Sequence, residues 1–311
     1  MKRLKIFLLS AFLLCGCSGG AASVPVTETA PPVSEATSEP TQTSVLYSEL
    51  LECRYFDEEE FYIYDRRGTA YPCRGEVRCG VVPHHLTAGH MISGFFKTAA
   101  QNAEPETIVI VAPMHYPSDH KLCTSEKGWA APWGVMETDT EITALFTERL
   151  GATSDDEMLR HDHSASAQIP FVRYYFPNAK SACLLVSPNE SEDFPERLAA
   201  LLREISELKS CLFVFSIDFS HYLSPEAAGL HDSETLDAVL TGDTDAIEGM
   251  TNDNVDAPYC LSAFVRLADL FETEITAADH SNTALVLDYP YNEVLFPEGV
   301  TSYFVYIASE A

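Results

Sequence analysis

The chain has 311 residues, 46% of them hydrophobic and 21% charged, which is enough apolar material for one large folded domain. Its 19 basic and 47 acidic side chains give a formal charge of -28. A nucleic-acid backbone or an anionic lipid surface would be repelled by that charge, so nucleic acid is not an expected partner, whereas cations are attracted.

Met1-Lys2-Arg3-Leu4-Lys5 is a basic opening, Ile6 to Leu14 is apolar, and Leu14-Cys15-Gly16-Cys17 closes the run, which is the layout of a secretory signal over residues 1-16. The apolar run is too short to span a bilayer. Leu14 and Gly16 ahead of Cys17 resemble a bacterial lipobox, in which the cysteine is lipidated and becomes the mature first residue. A plain signal peptide is the alternative, because Cys15 is unusual between them. Cleavage would place the protein outside the cytoplasm, touching the membrane only through Cys17. Residues 17-44, rich in Pro, Ser, Thr and Glu, bury too little to offset the entropy of ordering and read as a disordered tether. Residues 45-311 then form a single domain.

The stretch to about Arg78 holds Leu46, Tyr55, Phe56, Phe61 and Tyr64 around the acidic run Asp57-Glu58-Glu59-Glu60. It reads as a lead-in of short strands or a helix, with the acid run a solvated face. Gly80-Val81-Val82 is a short buried strand stopped by Pro83, which puts His84 and His85 at the rim of a sheet. For a His-His pair alone, a water-facing loop is the commoner state. Leu86 to Ala103 has helical spacing and carries His90, read as a partly exposed helix histidine. Thr107 to Val111 is a β-branched strand that again ends in proline and then histidine, at Pro113-Met114-His115. Two parallel strands finishing this way would bring His84 and His115 to one sheet edge.

Trp129 to Gly134 is an aromatic loop, and Thr140 to Leu150 looks helical. In Arg160-His161-Asp162-His163-Ser164, alternating His and Asp can bind a metal or position a substrate. As readily, Asp162 or Ser164 caps a helix. Strands at Ser181 to Val186 and Cys211 to Phe215 flank a helix from Phe194 to Leu208. This β-α-β rhythm points to an α/β/α sandwich around a mostly parallel sheet. The second strand ends in Asp218-Phe219-Ser220-His221, a further polar pair for the same edge, where an Asp can fix an imidazole tautomer.

Helices follow from His231 to Leu240, Thr244 to Met250 and Ser262 to Phe271. Cys260 stands ahead of the last, where unpaired backbone N-H groups favour a thiolate. Thr283 to Asp288 and Thr301 to Ile307 read as strands.

Taken together, these segments resemble the Memo family, the group that includes AmmeMemoRadiSam system protein B. The resemblance runs from about Val77 to the C-terminus. Val82-Pro83-His84 resembles its Ala-Pro-His segment, Ala112-Pro113-Met114-His115 its Gly-Pro-x-His segment, and Ala131-Pro132-Trp133-Gly134 its Thr-Pro-Leu-Gly loop. Asp162-His163-Ser164 with Ile169-Pro170-Phe171, and Ser216 to His221, match two more, and Cys260 falls at the Cys-Gly cysteine, followed here by Leu261. The resemblance implies a fold similar to class III extradiol ring-cleaving dioxygenases: a three-layer α/β/α sandwich with a mixed, mostly parallel sheet. It further implies one transition-metal ion held by His84, His115 and Cys260, with His163, Asp218 and His221 lining the cleft. A thiolate would shift preference toward iron or copper, with zinc also acceptable.

The expected function is metal-dependent redox chemistry, or redox-metal handling, on an unspecified small molecule or peptide. Two other classes compete: a metal-free binding protein using Trp129, Trp133 and Tyr222, and a zinc-assisted hydrolase. With Cys260 a ligand, Cys53, Cys73, Cys79, Cys123, Cys183 and Cys211 would permit three disulfides. Cys183 and Cys211 read equally well as buried thiols.

Overall fold

The structure, a computed structural model, describes residues 49-292 and 294-310. The expected signal sequence and the whole of the tether, with Cys15 and Cys17, lie outside the described residues. The described residues all belong to one compact unit.

In chain order the elements are β1 (Leu51-Glu52), α1 (Glu58-Arg67), β2 (Val77-Val82), α2 (Gly89-Asn102), β3 (Thr107-Pro113), β4 (Leu122-Thr124), β5 (Trp129-Ala131) and β6 (Gly134-Met136). Next come α3 (Thr140-Leu145), β7 (Thr153-Ser154), α4 (Asp156-His161), α5 (His163-Ser166), α6 (Ile169-Tyr175), β8 (Lys180-Val186), α7 (Phe194-Leu208) and β9 (Cys211-Ser216). The chain finishes with α8 (Pro225-Thr241), α9 (Thr244-Glu248), α10 (Pro258-Leu270), β10 (Glu274-Asn282), α11 (Thr283-Val286) and β11 (Ser302-Ser309).

Eight strands make one sheet in the order β10-β11-β2-β9-β3-β8-β4-β7. The central four, β2, β9, β3 and β8, are parallel. Antiparallel β11 joins β2, and antiparallel β4 joins β8. Side chains alternate across β3: Val109 and Val111 enter one core with Leu198, Leu202 and Phe264, while Ile108, Ile110 and Ala112 enter the other with Met91, Phe95 and Phe171. Both faces are covered by helices, giving three layers, and this is why the central strands read as unbroken apolar runs. A second, three-stranded sheet has the order β1-β5-β6.

The lead-in is a short strand and a helix, as expected, and the exposed run Asp57 to Glu60 is the helix start, with Asp57 capping the Glu60 N-H at 2.9 Å. Acids there complement the positive end of the helix dipole. The aromatic loop at Trp129 is a hairpin, β5 to β6. The helix expected at His231 begins at Pro225, behind the capping Ser224, and the one expected at Ser262 begins at Pro258. In both, proline sits at the first turn, where its missing N-H costs nothing. Thr283 to Asp288 is not a strand: Asn282 caps the Ala284 and Leu285 N-H groups and a short helix follows. The strand lies just before it, in β10. The seven cysteines among the described residues are free thiols, with Cys183 and Cys211 buried.

Candidate metal centre

Parallel pairing sends the C-terminal ends of β2, β9 and β3 to one edge of the sheet, as the two proline-histidine endings suggested. There His84 follows β2, His115 follows β3 and Asp218 follows β9. The chain from β7 returns through α4 and brings His163 to the same place. The ligand nitrogens of His84, His115 and His163 lie within 4.8 Å of one another. Their ring centroids are 4.9 Å (His84 to His115), 5.1 Å (His84 to His163) and 4.4 Å (His115 to His163) apart.

Two of the rings have their tautomers fixed by neighbours. His84 Nδ1 is 3.3 Å from the Ser216 carbonyl oxygen, which can only accept, so Nδ1 carries the hydrogen and Nε2 keeps its lone pair. His115 Nδ1 is 3.1 Å from Asp162 Oδ1, and the other Asp162 oxygen accepts the His115 backbone N-H at 2.6 Å. Asp162 also caps α5, accepting from the Ser164 N-H at 3.0 Å and the Ser164 hydroxyl at 2.8 Å. Asp162 is thus the helix cap that the sequence offered, and His163 stands in a cluster that could hold a metal ion. Burial alone would raise the Asp162 carboxyl, but the His115 and Ser164 hydrogen bonds hold it down at about 2. An ionised carboxylate behind a ligand imidazole is the usual means of orienting it and raising its basicity.

Burial, reinforced by the neighbouring imidazoles, lowers His84 well below its ordinary range, and burial with His115 lowers His163. Neutral rings with their lone pairs free are what a metal ion requires.

Two carboxylates complete the floor. Asp218 accepts the His84 backbone N-H at 3.0 Å, and its other oxygen is 3.5 Å from His84 Nε2. Asp256, which the sequence reading passed over, puts Oδ2 3.4 Å from His84 Nε2 and 3.9 Å from His115 Nε2. Burial is the main cause raising both carboxyls, and for Asp256 the Asp218 charge adds to it. Asp256 Oδ1 is buried with no hydrogen-bond partner, as is His221 Nδ1. Neutral imidazoles beside a buried carboxylate whose oxygen has no donor form a donor set suited to a transition-metal cation.

The remaining expected site residues take different places. His221 is half-buried and lowered chiefly by that burial, with Asp218 raising it. Cys260 is buried in the first turn of α10, where burial and then Asp256 push its thiol above the ordinary range. It lines a cavity of about 280 Å³ together with His115, Met114, Met250, Tyr259 and Asp256. His85 is half withdrawn from the cluster, with Nδ1 bonded to the Tyr303 hydroxyl at 2.8 Å. Trp129 is buried, whereas Trp133, packed on Phe56, Phe61 and Tyr174, and Tyr222 are both exposed.

The profile of the Memo-like protein family matches residues 65-286. A MEMO1 family protein of Methanococcoides burtonii is 28% identical over 210 residues, covering 67% of this chain and 74% of its own length. One from Methanosarcina mazei is 33% identical over 183 residues, covering 56% and 64%. One from Pyrobaculum aerophilum is 28% identical over 176 residues, covering 53% of this chain and 61% of its own length, so the chain spans about three fifths of that relative. Among solved structures, an uncharacterized protein of Escherichia coli K12 aligns over 74% of this chain and 99% of its own, with a TM-score of 0.48 and 14% identity. The match to the family profile covers well over half of the sequence and contains His84, His115, His163, Asp218, His221 and Cys260, and on that extent the chain belongs to the Memo-like family.

Proposed function

We propose that this is an extracytoplasmic metalloprotein that uses one transition-metal ion at the His84-His115-His163 cluster for redox chemistry on a small molecule or peptide. The observation that carries the reading is the convergence of three imidazoles, two of them with Nδ1 tied to an acceptor and Nε2 left free. A bound ion would supply Lewis acidity and, for iron or copper, electron transfer. The chain's own groups do the rest. Asp162 holds the His115 ring in register, while Asp218 anchors the backbone of His84. His221, half-buried with Asp218 raising it against the effect of burial, serves as the proton donor or acceptor. The cavity alongside His115 receives that molecule. The extracytoplasmic location rests on the basic and apolar opening that ends at Cys17.

Elemental analysis of the full chain, purified without oxygen or chelators beside His84→Ala and His115→Ala, tests this. One equivalent of metal that is lost in both variants is the expected result, and iron or copper rather than zinc would support redox chemistry. A chain that holds no metal and takes up none on titration would overturn the reading and leave a ligand-binding cleft. Zinc alone would direct it to hydrolysis.

A further inference from the structure

We propose that Ser164 and Gln168, four residues apart on one helical turn, are positioning residues of the metal centre. Each binds the carbonyl of the proline that ends a strand, and together they fix the spacing of His84 and His115. The inference rests on the metal reading above and deepens it by naming what sets the geometry of that site.

A strand that stops at proline leaves its last carbonyl without a ladder partner, and a buried carbonyl needs a donor. At the end of β2 the Pro83 carbonyl oxygen accepts from Gln168 Nε2 at 2.9 Å. At the end of β3 the Pro113 carbonyl oxygen accepts from the Ser164 hydroxyl at 2.7 Å. Both prolines and both side chains are buried. Ala167 and Gln168 keep helical dihedrals between α5 and α6, so residues 164 and 168 share one face and meet both strand ends at once.

The other half of each peptide unit is held as well. The His84 N-H lies in the same planar unit as the Pro83 carbonyl and donates to Asp218 Oδ1 at 3.0 Å. The Met114 N-H lies in the same unit as the Pro113 carbonyl and donates to the Val186 carbonyl at 2.8 Å. Each peptide is thus fixed at both ends as the chain reaches a site histidine. The second Gln168 proton goes to the Ser216 hydroxyl at 2.9 Å, and that hydroxyl donates to the Ser164 carbonyl at 2.6 Å, which joins the two anchors. Ser216 also supplies the carbonyl that fixes the His84 tautomer. His163, next to Ser164, is carried by the same turn. One helical turn therefore registers all three imidazoles against each other, and placement to within about 0.5 Å is what a functional site demands of its side chains.

Cobalt(II) affinity and absorption spectrum would be measured on the full chain, on Ser164→Ala and on Gln168→Met, which keeps the side-chain length and removes both donors. Thr107→Val is the control, because it removes an equally buried 2.7 Å hydrogen bond, to Asp139, at the opposite end of β3. The melting temperature of each metal-free variant records its loss of stability. Affinity should fall by about 10-100-fold in Gln168→Met and in Ser164→Ala, the usual effect of losing an outer partner of a metal site, and the cobalt d-d bands should shift. Thr107→Val should melt lower yet keep the parent affinity and spectrum. If Gln168→Met does not fold, Ser164→Ala decides alone. Parent affinity and bands in either folded variant, or an equal fall in Thr107→Val, would overturn the positioning role while the metal site stood. No cobalt uptake by the parent, or undiminished affinity in His84→Ala, would instead overturn the metal site itself, and this inference with it.

Discussion

Asp162 carries three jobs at once, and its ionisation is the residue-scale quantity easiest to read. Its carboxyl is held at about 2 against an ordinary 3.8, with burial opposing and the His115 hydrogen bond leading the groups that lower it. For a depressed acid the stabilisation is complete above pH 3.8 and is lost as pH falls through about 2. Fully buried as it is, the group contributes about 2 kcal/mol by linkage. Acid titration of metal-free protein should show that loss between these values, and Asp162→Asn should lack it. Asp256 has the opposite sign, because burial raises its carboxyl well above 3.8. The native state then keeps a proton that the unfolded chain releases, so this group's contribution declines as pH rises from 3.8. Metal-free Asp256→Asn should therefore melt higher than the parent at neutral pH, and a lower melting temperature would contradict the burial argument. Sequence marked His84 and His115 because each follows a β-branched or apolar run broken by proline. Asp256 follows no strand, and without that punctuation an aspartate among Asp253, Asn254 and Val255 looks like any loop acid.

At the scale of elements, β2 is the strand from which the site hangs, and Gly80 shows how tightly it is packed. A Cβ at that position would lie 2.3 Å from Phe95 Cε2 and 2.7 Å from the Tyr306 carbonyl oxygen. The backbone contact cannot be relieved by a rotamer change. Gly80→Ala should therefore cost about 1-3 kcal/mol, the usual penalty for overpacking, readable as a lower denaturant midpoint with an unchanged slope. The central strands and α7 were legible because burial on both sheet faces leaves an apolar signature and Pro195 marks the helix start. The far edge was not. β10, Glu274-Ile275-Thr276-Ala277-Ala278-Asp279-His280-Ser281-Asn282, is the edge strand beside β11 and has no buried residue, so its sequence is polar and carries no strand signal. Leu285 and Leu287, which suggested a strand just after it, are exposed. The caps that decided the helix starts, Ser224, Asn282 and Asp162, are short-range signals readable in principle, and at Ser224 and Asn282 the apolar pattern outweighed them.

The whole molecule carries a formal charge of -28, and self-repulsion on that scale destabilises a compact state. Raising ionic strength from about 0.01 M to about 0.15 M shortens the screening length roughly fourfold. The melting temperature should rise over that range, and a fall would mean that its surface ion pairs outweigh the repulsion. In the proposed function, cation attraction would raise the local concentration of metal and the imidazole cluster at the sheet edge would provide its ligands. Binding of a metal at 100 times its dissociation constant would add about 2.7 kcal/mol to stability. The most direct test is a crystal of the full chain, soaked or grown with iron(II) or cobalt(II) under anaerobic conditions, with anomalous diffraction recorded at the absorption edge of the metal. One peak should appear within about 2.0-2.2 Å of the His84 and His115 Nε2 atoms, at the cluster these rings form with His163. A peak at another place, or none in crystals that contain the metal at saturating concentration, would contradict the account.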